Sequence, residues 1–174
     1  AVPQPHLQGL NLMQESFARL RQTLAHAKNY RDLRRFFICT VFYQAGIQTV
    51  ITLAAIYAQQ AMHFTTRQTI MLIFVVNITA AIGAFLFGHV QDRIGHIPTI
   101  ALTLIGWIVM VGLAWAAQGP GMFWAAANLA GICMGASQSA GRALVGLLSP
   151  SARRAEFFGL WGLSVKLSSI LGPL

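Results

Sequence analysis

The sequence predicts an all-α, polytopic membrane bundle, and three observations carry that prediction. Residues 36–58, 69–87 and 97–117 contain no Asp, Glu, Lys or Arg. Each run reaches or approaches the roughly 20 residues with which a helix crosses a ~30 Å hydrocarbon core. Only 9% of the 174 residues are charged and 56% are hydrophobic, more apolar surface than a soluble domain of this length can hide from water. Hydrocarbon offers the backbone no outside partners, so helices or a closed barrel are the available structures. Long runs without period-two alternation select helices.

Residues 1–9, with Pro3, Pro5 and Gly9, read as a flexible lead. Leu10, Met13, Phe17, Leu20 and Leu24 then recur at three- and four-residue steps, with Glu15, Arg19 and His26 on the opposite face. This spacing predicts an amphipathic helix at the cytoplasmic surface, either a linker lying against anionic lipid or the bundle, or a calmodulin-type target. The domain division is therefore 1–35 for lead and linker helix, and 36–174 for the bundle. Its spans are expected at about 36–58, 69–87, 97–117, 122–148 and 155–174. The fourth carries Arg142, and the fifth carries Lys166 and stops while still apolar. With Ala as first residue, this predicts a fragment of a longer reading frame. The first apolar run begins too late and runs too long for a secretory signal.

Short connections make neighbouring spans antiparallel. Gly95-His96-Ile97-Pro98 places Pro98 where a first helical turn tolerates it, Gly119-Pro120-Gly121 forms a turn, and Ser149-Pro150-Ser151 breaks the chain before the last span. Glu156 falls in the following first turn, where its charge suits the helix dipole. The net charge of +8 is distributed by side rather than spread evenly. Arg19, Arg21, Lys28, Arg31, Arg34 and Arg35 precede the first span. Arg93, Arg153 and Arg154 fall on the same side, and Arg67 alone on the other. The positive-inside bias puts the rich side, and so the amino-terminal end of this segment, in the cytoplasm. The charge is thus a membrane-orientation signal, and no nucleic-acid partner is expected.

Cys39 and Cys133 form no CxxC pair, and His6, His26, His63, His89 and His96 lack ligand spacing, so no metal and no cofactor is expected. No Ser/His/Asp or Cys/His cluster converges at one depth, which argues against an enzyme.

Several polar residues fall within the apolar runs. Gln44, Gln48 and Thr52 follow at four-residue steps on the first span, either as helix–helix hydrogen bonds or as the wall of a solute pathway, while Tyr43 and Gly46 lie on another face. On the fourth span Gly131, Gly135, Gln138 and Arg142 share one face, expected to be interior. Ala80, Ala84 and Gly88 offer a small-residue face on the second. Arg142 cannot shed its proton, and an unpaired guanidinium near mid-membrane costs at least ~2.5 kcal/mol, so it must pair or snorkel. The segment Gly88 to His96 reads as a glycine-flanked cytoplasmic turn in which Asp92 is expected to latch onto Arg142. Lys166, near Ser164, Ser168 and Ser169, must face water, a carboxylate or an anionic solute, or serve as helix glue.

The pattern Gly88-x-x-x-Asp92-Arg93-x-Gly95 resembles the turn after the second helix of a six-helix half in the major facilitator superfamily. Residues 43–51, Gln138 to Arg142, Ala155-Glu156-Phe157-Phe158-Gly159-Leu160 and the stretch Lys166 to Pro173 narrow the resemblance to its vacuole-effluxer family of permeases, over about residues 30–174. The resemblance implies a carboxyl-terminal half with an inter-half linker, a missing amino-terminal half as partner, and a small solute, amino acids among the candidates. It also implies a bacterial inner membrane, or alternatively a vacuolar one. Where the family tends to carry Asn-Asp after the tyrosine, this chain has Gln44-Ala45. All four acids then fall outside mid-membrane, and no carboxylate relays a proton there. The expected function is a permease segment working by alternating access, with Gln44, Gln48, Gln138 and Lys166 on the substrate pathway and Gly88, Asp92, Arg93, Gly95 and Arg142 at a cytoplasmic gate. The alternative is a non-transporting membrane assembly or sensor module.

Overall fold

A computed structural model describes residues 30–173, so the amphipathic segment predicted near residues 10–26 lies outside the described residues. Among the described residues five α-helices follow one another: α1 Arg31–Gln60, α2 Thr66–Ile94, α3 His96–Trp115, α4 Pro120–Leu148 and α5 Arg154–Leu171. A single 3-10 turn, Ser151–Arg153, precedes α5. No strand occurs among the described residues, and the all-α expectation holds.

Three helices, α1, α2 and α3, are long and apolar enough to cross a membrane. The fourth and fifth predicted spans form helices but fall below that apolarity. Gly, Ala, Ser and Gln take the place of larger apolar residues on α4, and serines and Lys166 do so on α5. The reason lies in packing, because α4 is the hub of the bundle and its buried face carries Ala126, Gly131, Gly135, Ala136, Ala140 and Gly141. Small residues there let neighbouring backbones approach, the means by which helices associate when lipid removes the hydrophobic drive. Outward, the bundle presents Phe42, Phe85, Ile108 and Trp115, the last 87% exposed. Such a surface is stable only in a solvent as apolar as itself.

The helix ends follow local chemistry. Thr65 and Gln68 form a reciprocal capping box at the start of α2, with Thr65 N–H donating to Gln68 Oε1 at 2.9 Å and Gln68 N–H to Thr65 Oγ1 at 3.3 Å. Pro120 opens α4, where its missing N–H costs nothing, and Glu156 sits in the first turn of α5. The predicted turn over residues 88–96 is corrected. Helix α2 continues through Asp92 and Arg93 to Ile94, and the connection to α3 is Gly95 alone, at φ 88° and ψ 166°. That conformation is essentially reserved for glycine.

Packing divides the bundle in two along its length. Near their starts, α1 and α5 run side by side, with Leu33 and Phe37 against Phe157, Leu160 and Trp161. At the other end of α5, the Thr49 hydroxyl of α1 donates to the Gly172 carbonyl. Beyond that point α1 leaves α5, and Ala58 joins Phe64, Leu72, Ala117 and Phe123 in a second cluster. Between α2 and α4 the contact is backbone to backbone. A Cβ added at Gly135 would meet the main chain of Ala80 and Ala84, and one added at Gly83 would meet that of Ile132.

Candidate functional site

Two polar faces meet on α4. Gln138, Ser139 and Arg142 border an open groove of about 420 Å³ against Ala80 and Ala84 of α2, with Gly135 at its floor. The step from Gly131 to Arg142 is eleven residues, which at about 100° per residue returns within about 20° of the starting direction. The sequence placed these residues on one face, and in the structure the small ones, Gly131 and Gly135, are buried against α2 while Gln138 is half-buried and Arg142 exposed. Ala80 and Ala84 belong to the opposing face, but Gly88 has no neighbour within reach of a Cβ.

Arg142 does not pair with Asp92. Its guanidinium lies over the Trp161 ring of α5, 5.4 Å from the centroid, and Asp92 is exposed on the last turn of α2. A cation–π contact of this kind contributes about 0.5–2 kcal/mol. That is less than the cost of burying the ion in hydrocarbon, so the polar edge of the guanidinium needs water or a ligand.

The second face lies between α1, α4 and α5. Thr40, Tyr43 and Gln44 stand three and four residues apart, on one side of α1. Thr40 is fully buried and Gln44 is 3% exposed. Thr40 Oγ1, Tyr43 Oη, Gln44 Nε2 and Trp161 Nε1 are all buried atoms without a hydrogen-bond partner. Tyr43 Oη and Trp161 Nε1 approach the same point above Gly141, 3.6 and 3.7 Å from where its Cβ would stand. The hydroxyls of Ser164 and Ser168 are satisfied instead by the α5 carbonyls of Leu160 and Val165, at 3.0 and 2.7 Å.

The remaining sequence candidates are dispersed. Gln48 is half-buried beside Gly172, its Cβ 3.1 Å from the Cβ position there. Thr52 is exposed, so the expected polar stripe ends before it. Four-residue steps rotate by about 40° each, and eight residues carry Thr52 some ~80° away from Gln44. Gly46 faces open space, and Gly172 packs against Ala45. Lys166 is exposed on α5, and Arg93 is exposed beside Asp92. Cys133 is buried and Cys39 is exposed. No metal-ligating cluster occurs among the described residues. Sequence reasoning gave Trp161 no role, although an indole between Gly159 and Gly162, one turn before Ser164, is an aromatic with a polar handle.

The family model described as "Vacuole effluxer Atg22 like" matches residues 1–174. The chain belongs to this family. Its relatives include an uncharacterized MFS-type transporter, YxiO, of Bacillus subtilis, 27% identical over 159 residues that cover 91% of this chain and 37% of that protein. Autophagy-related protein 22 of Candida glabrata is 28% identical over 165 residues, 88% of this chain and 30% of the relative. Its Saccharomyces cerevisiae counterpart is 24% identical over 184 residues, 94% of this chain and 33% of the relative. The chain thus spans about a third of the length of the curated relatives it matches. No solved structure matches it. Membership in the vacuole-effluxer family agrees with the apolar helices in making this an integral membrane protein.

Proposed function

We propose that this chain is part of a permease that carries a small solute across a membrane by alternating access, two halves rocking about a site between them. One observation supports it most: the central helix, α4, carries the polar residues Gln138, Ser139 and Arg142, and they open onto a groove. A helix that only packs has no need of a permanent cation or an amide at that depth, since its glycines and alanines already bring the backbones together. In this reading Gln44 and Gln138 border the pathway, with Gln48 and Lys166 further along α1 and α5 facing the other half of the complete protein. Gly88, Asp92, Arg93 and Gly95, at the end of α2, form the cytoplasmic gate with Arg142. Gly95 is its single-residue hinge, and the gate carries no Asp92–Arg142 bond in the present conformation. The amino-terminal end of the segment is cytoplasmic, in a bacterial inner membrane by analogy with the Bacillus relative or in a vacuolar one by analogy with the yeast relatives. The family description names an effluxer, and amino acids, which the resemblance implies as candidates, are the first small solutes to try.

The experiment is counterflow. Complete protein reconstituted in vesicles and preloaded with an unlabelled amino-acid mixture should accumulate labelled amino acid transiently, and Gln138→Leu should abolish the accumulation. No accumulation with any of the 20 amino acids or their keto acids, from protein that is correctly folded, would reject the reading.

A further inference from the structure

A second cavity, of about 310 Å³, lies among α1, α2, α3 and α4 and is apolar almost throughout. On α4 its wall runs from Phe123, in the first turn, to Met134, at the middle of the helix. On α3 it runs from Trp107, near the midpoint, to Ala114, one residue short of the end. On α1 and α2 it spans Val50 to Ala58 and Thr69 to Asn77, each about 12 Å at 1.5 Å per residue. The cavity is therefore a slot parallel to the helices, reaching from mid-bilayer towards one face over most of half the ~30 Å hydrocarbon core. Ile51, Ala55, Ile73 and Asn77 on its lip are exposed, so it opens sideways between α1 and α2. Its few polar groups offer water little. Thr69 Oγ1 donates to the Thr65 carbonyl at 3.2 Å, and Asn77 Nδ2 donates to that of Ile73 at 2.8 Å. The Trp107 N–H is buried without a partner, a single donor where a water molecule needs two to four polar neighbours. Such a space stays dry and suits an apolar molecule.

We propose that this slot binds one acyl chain of a membrane phospholipid, which enters between α1 and α2 and ends with its methyl group at Trp107. Three features select a hydrocarbon tail. The slot runs along the helices, the direction in which tails lie in a leaflet. Its depth is that of one leaflet, ending where opposing tails meet. Its lip continues the surface that already meets lipid, with Ile51 37% and Ile73 54% exposed. No hydrophobic drive acts here, because the bilayer is as apolar as the slot. Dispersion holds the chain instead: an empty slot leaves its lining atoms without partners on one side, and a tail supplies them. The tail then stands between α1 and α2 as part of the packing of the bundle. The site follows from the membrane-spanning helices alone and does not depend on the permease reading.

The test uses complete protein in nanodiscs of phosphatidylcholine that carries a diazirine on one acyl chain, irradiated and then mapped by peptide mass spectrometry. With the diazirine near the terminal methyl, adducts are expected on Trp107 and Ala130. Both line the slot, and the Trp107 side chain, 6% exposed, is out of reach of lipid that merely surrounds the bundle. With the diazirine near the ester, the adducts should move to Ala55 and Thr69. Phe42 and Phe85, exposed on the outer surface, report the surrounding lipid in both cases. Ala130→Phe fills the deep end and should remove most labelling of Trp107 while Phe42 and Phe85 stay labelled. Ala54→Leu, a smaller filling from the α1 wall, should lower it severalfold and keeps the test open if Ala130→Phe fails to fold. Labelling confined to Phe42 and Phe85, one pattern from both probes, or undiminished Trp107 labelling in a folded filling variant would each overturn the site. Loss of Trp107 labelling on adding a mixture of amino acids would assign the slot to a solute and overturn it too.

Discussion

Gly135→Ala should separate α2 from α4, and the structure sets the size of the effect. A Cβ at Gly135 would stand 2.6 Å from the Ala80 carbonyl carbon and 2.9 Å from the Ala84 nitrogen, with the Ala80 oxygen nearer still. These are backbone atoms, so no rotamer change relieves the overlap and α2 must retreat by about an ångström. A gap of ~0.5–1 Å forfeits a quarter to a half of each contact it opens. Overpacking of this kind costs about 1–3 kcal/mol, and the immobile neighbours put Gly135 at the upper end. Alanine's helix propensity returns up to ~1 kcal/mol, leaving a net loss of about 2 kcal/mol. Gly112→Ala on α3 is the control, because a Cβ there meets nothing within 4 Å and only the propensity gain remains. The two variants should then differ by about 3 kcal/mol, roughly a hundredfold in the folding equilibrium. Reversible denaturation of the complete protein in mixed micelles measures the difference. A Gly135→Ala protein as stable as Gly112→Ala would refute the backbone-to-backbone contact.

Three other substitutions probe the remaining features. Gly95→Ala forces a Cβ into a backbone conformation reserved for glycine and should cost about 1–3 kcal/mol in the same denaturation assay, with the α2–α3 connection the first to become protease-sensitive. Gln44→Leu removes a buried amide nitrogen that has no partner, so stability should hold or rise while counterflow falls, and a loss of stability would mean that the amide is helix glue. Cys133, buried beside Gly106, should resist a membrane-permeant maleimide until the protein is denatured, and labelling of native protein at Cys133 would contradict the packing of α3 on α4.

The helices were legible because hydrocarbon imposes long uncharged runs, and the breaks at Pro120 and Ser149-Pro150 were legible because proline leaves few options. The end of α2 was not, since Gln91, Asp92 and Arg93 look like a loop by polarity yet continue the helix until Gly95 stops it. Likewise α1 begins at Arg31, so its first charged residues belong to the helix rather than to the linker. Helical phase explains the rest. The 4-3-4 spacing from Gly131 to Arg142 keeps one direction, whereas the 4-4 spacing from Gln44 to Thr52 rotates out of the interior. Which partner Arg142 chooses depends on how α5 lies across α4, a tertiary fact that no spacing within one helix encodes. For that reason Trp161 emerged from the structure and the expected Asp92 latch did not.

Substituted-cysteine accessibility at position 138 tests the central claim most directly. In complete protein lacking Cys39 and Cys133 and reconstituted in sealed vesicles, Gln138→Cys should react with a membrane-impermeant thiosulfonate added to either side, and transported solute should change the two rates in opposite directions. Reaction from neither side would place α4's polar face inside a closed bundle and contradict the account.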